Sequence, residues 1–514
     1  MLCALWLSGC QSGEINNSQL STINENSTTD GAIEQQQNEA ESERLKEVAR
    51  LAEEEAQRVK EEEEQRKKVF QAYEAILYEN IKSYGLWNHE LGQFGPDSSG
   101  ITYADLIDFD NNGIDELYMV YGDGDRFIES IWGYRDGKAV QLENNVFEEG
   151  NRFANDSRYL VTTDTVTYLV SSGSFTHGGW TDRYPDVISQ TDYSDVVYEL
   201  QGGEFVKVSA QLMHEVYEEE EKSKNYYFRM DNDNQTSISK EEYEQTEALY
   251  AGSQRKQIVE DEVGTKSLGE DVSVKLEQVL QTWNQLGGDS STLANAETKL
   301  SKTEKLKLNA FMDNFADLGK FDYEAYTDED IMFYIYYAIF NGTLADNLLQ
   351  VNRNDNEALI LQDEWYYYPY KAQEIHALTK TLFGIELPEK DYSTETDSFG
   401  LKEVLFKDGK FYFLSPNYGS SASYSSAQVQ HVYDLGGGRY YIAYTLFEYE
   451  DWDARDLSYL KTKASDEWTE AERDYMYNSV NLHAILQKTD SGWRMLFNQG
   501  LPSINMEGEG ETYE

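Results

Sequence analysis

Cysteine is almost absent: the 514 residues hold two, Cys3 and Cys10, both within the first ten positions. That excludes a disulfide framework for the folded body and any cysteine-rich metal site. Positive charge is scarce too, with 43 Lys and Arg against 95 Asp and Glu and a formal net charge of −52. A basic face able to displace counterions from phosphates is therefore not expected, which excludes a nucleic-acid partner, and an anionic bilayer would repel the same surface. Long apolar runs are missing after the first residues. The longest, Ile331 to Phe340, ends at Asn341-Gly342 and falls well short of the roughly 18 residues of a membrane helix. The chain also lacks a GxSxG elbow, an HExxH pair, a GxxxxGK[ST] loop and a GxGxxG after a strand. Its six His are scattered. Ser174, His177 and Asp182 stand close together in a Gly-rich segment, but triad members meet in space rather than by adjacency, and the segment reads as a loop. Apolar and aromatic material is plentiful, at 39% and 13%, so the chain can build packed cores, and its length suggests two to four domains.

Leu7-Ser8-Gly9-Cys10, preceded by Leu2, Ala4, Leu5 and Trp6, resembles the lipobox of bacterial lipoproteins, in which the signal is cleaved before a Cys that then carries lipid. Residues 1–10 are accordingly expected to be signal peptide and lipobox, with Cys10 lipidated. A secretory signal opens with Lys or Arg, and Met1-Leu2 does not, so the expected explanation is a truncated start. Residues 11–32, rich in Ser, Asn, Thr and Gln, form a flexible tether. Residues 33–66 are mainly Glu, Lys, Arg, Ala and Gln with opposite charges three or four apart, which predicts a charged helical spacer. A thin seam of Leu45, Val48, Leu51/Ala52, Ala56 and Val59 leaves a dimerising coiled coil as the alternative, but Lys60 to Lys68 has no apolar residue to continue it. From Val69 the helix turns amphipathic, with Phe70, Tyr73, Ile76, Leu77 and Ile81 on one face, and a folded body begins.

Between the predicted strands Ile101–Ile107 and Leu117–Tyr121 lies Asp108-Phe109-Asp110-Asn111-Asn112-Gly113-Ile114-Asp115-Glu116. Oxygens of Asp108, Asp110, Asn112 and Glu116, with the carbonyl of Ile114, can converge on one hard cation while Gly113 permits the turn. Calcium suits such a flexible oxygen cage better than magnesium. The alternative is an acidic hairpin turn, for which Asn-Gly is itself a signal. The loop resembles the calcium loops of FG-GAP-type repeats, because a strand follows where an EF-hand has a helix. A second acidic segment, Asp231 to Glu242, has Thr236 where an EF-hand turn wants Gly. It reads as the turn of a strand holding Tyr226 to Phe228, followed by a helix Lys240–Tyr250 capped by Ser239 with Glu242 completing a capping box.

These elements give an α+β chain: an N-terminal helical spacer, a β-rich antiparallel domain over 67–286 with flanking helices, a linker at 287–297, a helices-plus-antiparallel-sheet domain over 298–505, and an acidic tail at 506–514. Predicted helices in the second domain are Thr303–Leu318, Asp328–Phe340 and Ala372–Phe383, followed by strands from Val404 to Phe497. Trp365 to Tyr370 places rings on both faces of a strand, for core packing or for stacking on a sugar or peptide. Leu308 to Phe315, the unit ending Leu382-Phe383-Gly384 and the hairpin at Gly492-Trp493-Arg494 are similar to an uncharacterised Firmicutes family of surface lipoproteins with an FG-GAP-like calcium loop. The resemblance implies an exported envelope protein on the outer face of the cell membrane and brings no catalytic residues. The expectation is a monomeric, non-catalytic lipoprotein with one calcium ion that binds a wall glycan or surface protein. The competing expectations are an envelope hydrolase acting on wall glycans or peptides, and a structural spacer.

Overall fold

The run of Glu, Lys, Arg, Ala and Gln folds as one helix, α1 (Asp30–Tyr84). The computed structural model describes residues 30–86, 100–123, 126–147, 156–163, 165–178, 187–218, 223–231, 234–250, 255–259, 267–287, 297–316, 318–341, 358–361, 365–393, 402–415, 424–449, 458–490 and 492–500. Cys10, the tether up to residue 29, residues 288–296 of the linker and the tail at 506–514 lie outside the described residues. Two compact units divide the chain, 1–65 and 66–514.

In the first unit every residue of α1 from Glu41 to Gln65 is exposed, and Leu45, Val48, Leu51 and Val59 are open to solvent. Support comes from neighbouring turns: Arg50 bonds Glu47 and Glu54, Arg58 bonds Glu55, and Gln57 bonds Glu61. Such exposed pairs are each worth little, so the helix rests on propensity and many small terms. Burial begins in the second unit, where Val69, Tyr73, Leu77 and Ile81, each four residues from the last, are all buried.

Among the described residues the second unit has four antiparallel sheets. The first is β1 (Gly100–Ile107), β2 (Glu116–Asp123), β3 (Arg126–Arg135) and β4 (Lys138–Phe147), in chain order. The second contains β5 (Asp156–Thr162), β6 (Thr167–Gly178), β7 (Val187–Gln201), β8 (Glu204–Glu218), β9 (Ser223–Asp231) and β10 (Asn234–Ser237). After α2 (Lys240–Tyr250), β11 (Arg255–Val259) returns to pair with β5. Next come α3 (Ser267–Leu286), α4 (Lys302–Asp313), β12 (Phe321–Asp322), α5 (Asp328–Asn341), β13 (Leu359–Leu361), β14 (Trp365–Lys371), α6 (Ala372–Leu382), β15 (Val404–Lys407), β16 (Lys410–Leu414), β17 (Tyr424–Gly436), β18 (Arg439–Tyr449), α7 (Glu470–Arg473), β19 (Met476–Thr489) and β20 (Gly492–Asn498). Their sheets are ordered β12-β20-β19-β18-β17 and β13-β14-β16-β15.

The fold class is the α+β arrangement the patterns predict, with three refinements. The antiparallel strands after residue 100 divide into two sheets, β1 to β4 and β5 to β11. Two further short strands, β12 and β13, lie among the helices of the second half beside the predicted strand β14. Helix α4 stops at Asp313, short of Leu318, because the Asn314 amide donates to the carbonyls of Ala310 and Phe311 and closes the helix there.

Alternation along the strands sets the layers. In β2, Leu117, Met119 and Tyr121 share a core with Tyr73, Leu77, Ile81 and the α3 residues Val279 and Trp283, while Tyr118 and Val120 face Leu160, Leu169 and Leu200 of the second sheet. In β18, Tyr441 and Ala443 join that first core, whereas Ile442, Tyr444 and Leu446 pack under α4, α5 and α6. The five-stranded sheet is thus covered on both faces, as the almost unbroken apolar run Tyr440–Phe447 requires. One core therefore draws on both sides of the 287–297 segment. Long-range polar contacts reinforce it: Leu86 N–H donates to Tyr441 Oη at 3.0 Å, and the buried Lys82 ammonium bonds Asp322 at 2.8 Å and Glu324 at 3.2 Å. Gly85, at φ +77°, leaves no room for a side chain: a Cβ there would sit 2.8 Å from Tyr441 Oη and 3.0 Å from His483 Nδ1.

The edge of β17 is closed by side chains from α4. Asn309 Oδ1 accepts the Val429 N–H at 2.9 Å, and Asp313 Oδ1 accepts the Ala427 N–H one turn later. Burial pushes the Asp313 carboxyl up to about 7, against the pull of Lys461 and the Ala427 N–H. The folded state then binds more protons than the unfolded one between the ordinary carboxylate pKa and about 7. Asp313 therefore contributes stability that is complete below the ordinary pKa and is lost as pH rises through about 7. Urea unfolding of Asp313→Asn should show a flatter pH dependence over that window than the parent.

Candidate metal centre

The β1–β2 hairpin ends in the pair Ile107↔Glu116, and residues 108–115 close it. The loop is folded by its own polar side chains. Asp108 Oδ1 accepts the Asn112 N–H at 3.0 Å and its Oδ2 accepts the Gly113 N–H at 2.9 Å, while Asn112 Oδ1 accepts the Ile114 N–H at 2.7 Å. Asn111 and Gly113 take left-handed φ values of 55° and 85°, which a short polar side chain and a glycine tolerate best. Phe109 pins the loop from within. Its ring is fully buried edge-on to Phe205 at 5.0 Å, its N–H donates to Glu116 Oε2 at 3.1 Å, and its carbonyl accepts the Thr167 N–H at 2.9 Å.

The result brings one carboxylate oxygen each of Asp108, Asp110 and Glu116 within 4.8 Å of one another. Oxygens bound to one calcium stand about 2.3–2.6 Å from it, so ligands on opposite sides are about 5 Å apart and this spacing fits a shared ion. The donor set is all oxygen, which suits calcium or magnesium and not a thiolate or imidazole metal. Asn112 Oδ1 keeps a lone pair beyond its bond to Ile114, and the Ile114 side chain packs against the core that holds Tyr73 and Leu117.

Electrostatics shows the cost of this cluster without a counter-charge. Burial pushes Glu116 up to about 8; the Phe109 N–H opposes the shift, and the charges of Asp110, Asp108 and Asp115 add to it. Asp115 is raised as well, chiefly by burial, with Arg66 at 4.0 Å pulling the other way. Phe109 and Arg66 were not legible as parts of the site. An aromatic between two aspartates is the one local sign of the first, and the second is far away in sequence.

The other candidate segments differ. Asp231 pairs with Asn234, so the second acidic run is a hairpin, and Gln235, Thr236 and Ser237 continue as strand β10. Ser239 Oγ accepts the Glu242 N–H at 3.1 Å, as an N-cap should, while the Glu242 carboxylate meets Arg229 at 3.4 Å. Among the described residues these acids do not gather as the 108–116 loop does. Asp182 and the His177 side chain lie outside the described residues. In β14, Tyr367, Tyr368 and Tyr370 are buried and Tyr366 is exposed, so the strand serves the core. No helix among the described residues is long and apolar enough to cross a membrane. Compared with protein-family models, curated proteins and solved structures, the chain matches none.

Proposed function

We propose that this chain is a bacterial lipoprotein, anchored through lipid on Cys10 to the outer face of the cell membrane, whose 108–116 loop holds one calcium ion and whose body binds a wall or extracellular ligand without turnover. The observation that carries the metal reading is the convergence of Asp108, Asp110 and Glu116 in a loop already folded by its own hydrogen bonds. Three carboxylates so placed repel one another, and a divalent cation removes that repulsion. The anchor and the envelope location rest on the Leu7–Cys10 motif and on the likeness to surface lipoproteins. The excess of acid supports a role at a cation-rich surface rather than on nucleic acid.

Extracellular calcium modules bind at about 10⁻⁴–10⁻³ M. At one hundred times the dissociation constant, occupancy adds about 2.7 kcal/mol to stability. Thermal unfolding in excess calcium should therefore occur several degrees above unfolding in chelator. Asp110→Ala, whose exposed side chain makes little packing, should unfold like the parent in chelator and lose the calcium shift. Equal melting of the parent in both conditions would reduce the loop to an acidic turn.

A further inference from the structure

Exposed rings among the described residues include Tyr366 in β14, and two more lie together on the seven-stranded sheet. Tyr193 in β7 is 37% exposed and Tyr217 in β8 is 39% exposed. Register places them on one face of the seven-stranded sheet: Tyr193 opposes Met213, Thr191 opposes Glu215 and Ser189 opposes Tyr217, and residues two apart on a strand point the same way. Glu215 stands between the rings, accepting the Tyr193 hydroxyl at 3.3 Å and hydrogen-bonded also to Tyr217. Beside them the Thr176 and Thr191 hydroxyls meet at 3.0 Å. Along the same face toward α2, Asp195, Ser209, Gln211, Glu247 and Tyr250 line a shallow pocket. The opposite face here is closed, with Gln190, His214, Val216 and Phe228 buried.

We propose that this open face of β6 to β9 binds a glycan chain that is uncharged or carries free amines. The tyrosine faces offer flat apolar surfaces for the C–H faces of sugar rings, and the carboxylates, amide and hydroxyls around them accept from or donate to sugar hydroxyls. Four residues separate the Met213 level from Tyr217, roughly 13 Å along the strand, a span for an oligosaccharide rather than one sugar. Glu215, Asp195 and Glu247 outnumber Arg229, the cation that register places on the same face and that meets Glu242, so on a chain of net charge −52 this surface disfavours a polyanionic glycan. The inference rests on the ligand-binding reading above and assigns that reading a surface and a ligand class.

The test is calorimetric titration of the full chain with chitopentaose and with its fully deacetylated glucosamine counterpart, beside sedimentation with insoluble peptidoglycan. One or both pentamers should bind, the deacetylated one alone if the carboxylates dominate. Tyr193→Ala and Tyr217→Ala should each weaken binding about tenfold, as loss of an aromatic anchor does. Tyr217→Phe, which keeps the ring, and Tyr366→Ala, on an exposed ring elsewhere, should bind nearly as the parent does, with circular dichroism showing each variant folded. Binding unchanged by both alanine variants would overturn this surface and leave the ligand-binding reading standing. A folded parent that ignores both pentamers would overturn the glycan, one that ignores peptidoglycan as well would remove the wall ligand from the reading on which it rests, and binding confined to poly-lysine would replace the glycan with a cationic peptide.

Discussion

Arg158→Met should destabilise the fold by about 3–5 kcal/mol, the cost of leaving a buried charge without its partner. Arg158 Nε stands 3.2 Å from Glu129 Oε2, and the two side chains are almost wholly buried between the first and second sheets. Glu129 Oε1 accepts the Tyr118 hydroxyl at 2.8 Å, and Arg158 also donates to Ser171. Removing the guanidinium strands the carboxylate in a core of Tyr118, Ile131 and Leu160. Adding Glu129→Gln to the same variant should restore much of the loss, because the neutral amide oxygen can still accept from Tyr118 and no charge remains. Arg50→Met on the exposed part of α1 should leave the urea midpoint almost unchanged although Arg50 bonds two glutamates, since exposed pairs are worth little. Urea midpoints of the four proteins decide it, and similar losses for Arg158→Met and Arg50→Met would show that the buried pair is not structural.

Calcium affinity should rise about tenfold per pH unit below pH 8 and level off above it, because the ion must displace the proton that Glu116 holds with a pKa of about 8. In the cation-free protein this group is raised in the folded state, so its stability contribution is complete below the ordinary Glu pKa and is lost as pH rises through about 8. Calcium reverses the sign, since the ionised carboxylate becomes the favoured form. Titration calorimetry in two buffers of different ionisation enthalpy should therefore show a buffer-dependent heat near pH 7, reporting a released proton. Glu116→Gln should remove the buffer dependence and weaken binding. A heat independent of buffer, with affinity constant from pH 6 to 8, would mean that Glu116 does not ligate.

What could be read in advance follows sequence distance. The loop from Asp108 to Glu116 was legible because its turn chemistry and its carboxylates are local, and Ser239 marked a helix start for the same reason. Burial of the aromatic run in β14 was open until its neighbours were known: Tyr367 opposes Leu414 and Tyr368 opposes Phe413, about 45 residues on. The shared core was less legible still, since it depends on Leu86 meeting Tyr441 and on Lys82 reaching Asp322 across 355 and 240 positions. Those partners carry no pattern of their own. Lys82 looks like one more solvated lysine at the end of a charged helix, and Glu129 and Arg158 look like ordinary polar residues of half-exposed strands. Tyr193 and Tyr217 required the register of β7 and β8 before they could be seen to share a face.

The most direct test is a crystal structure of the protein grown with calcium, with anomalous scattering collected to locate the ion. The account predicts one peak at the end of the β1–β2 hairpin, with oxygens of Asp108, Asp110 and Glu116 about 2.3–2.6 Å from it. A well-ordered loop with only water among these carboxylates at saturating calcium would contradict it.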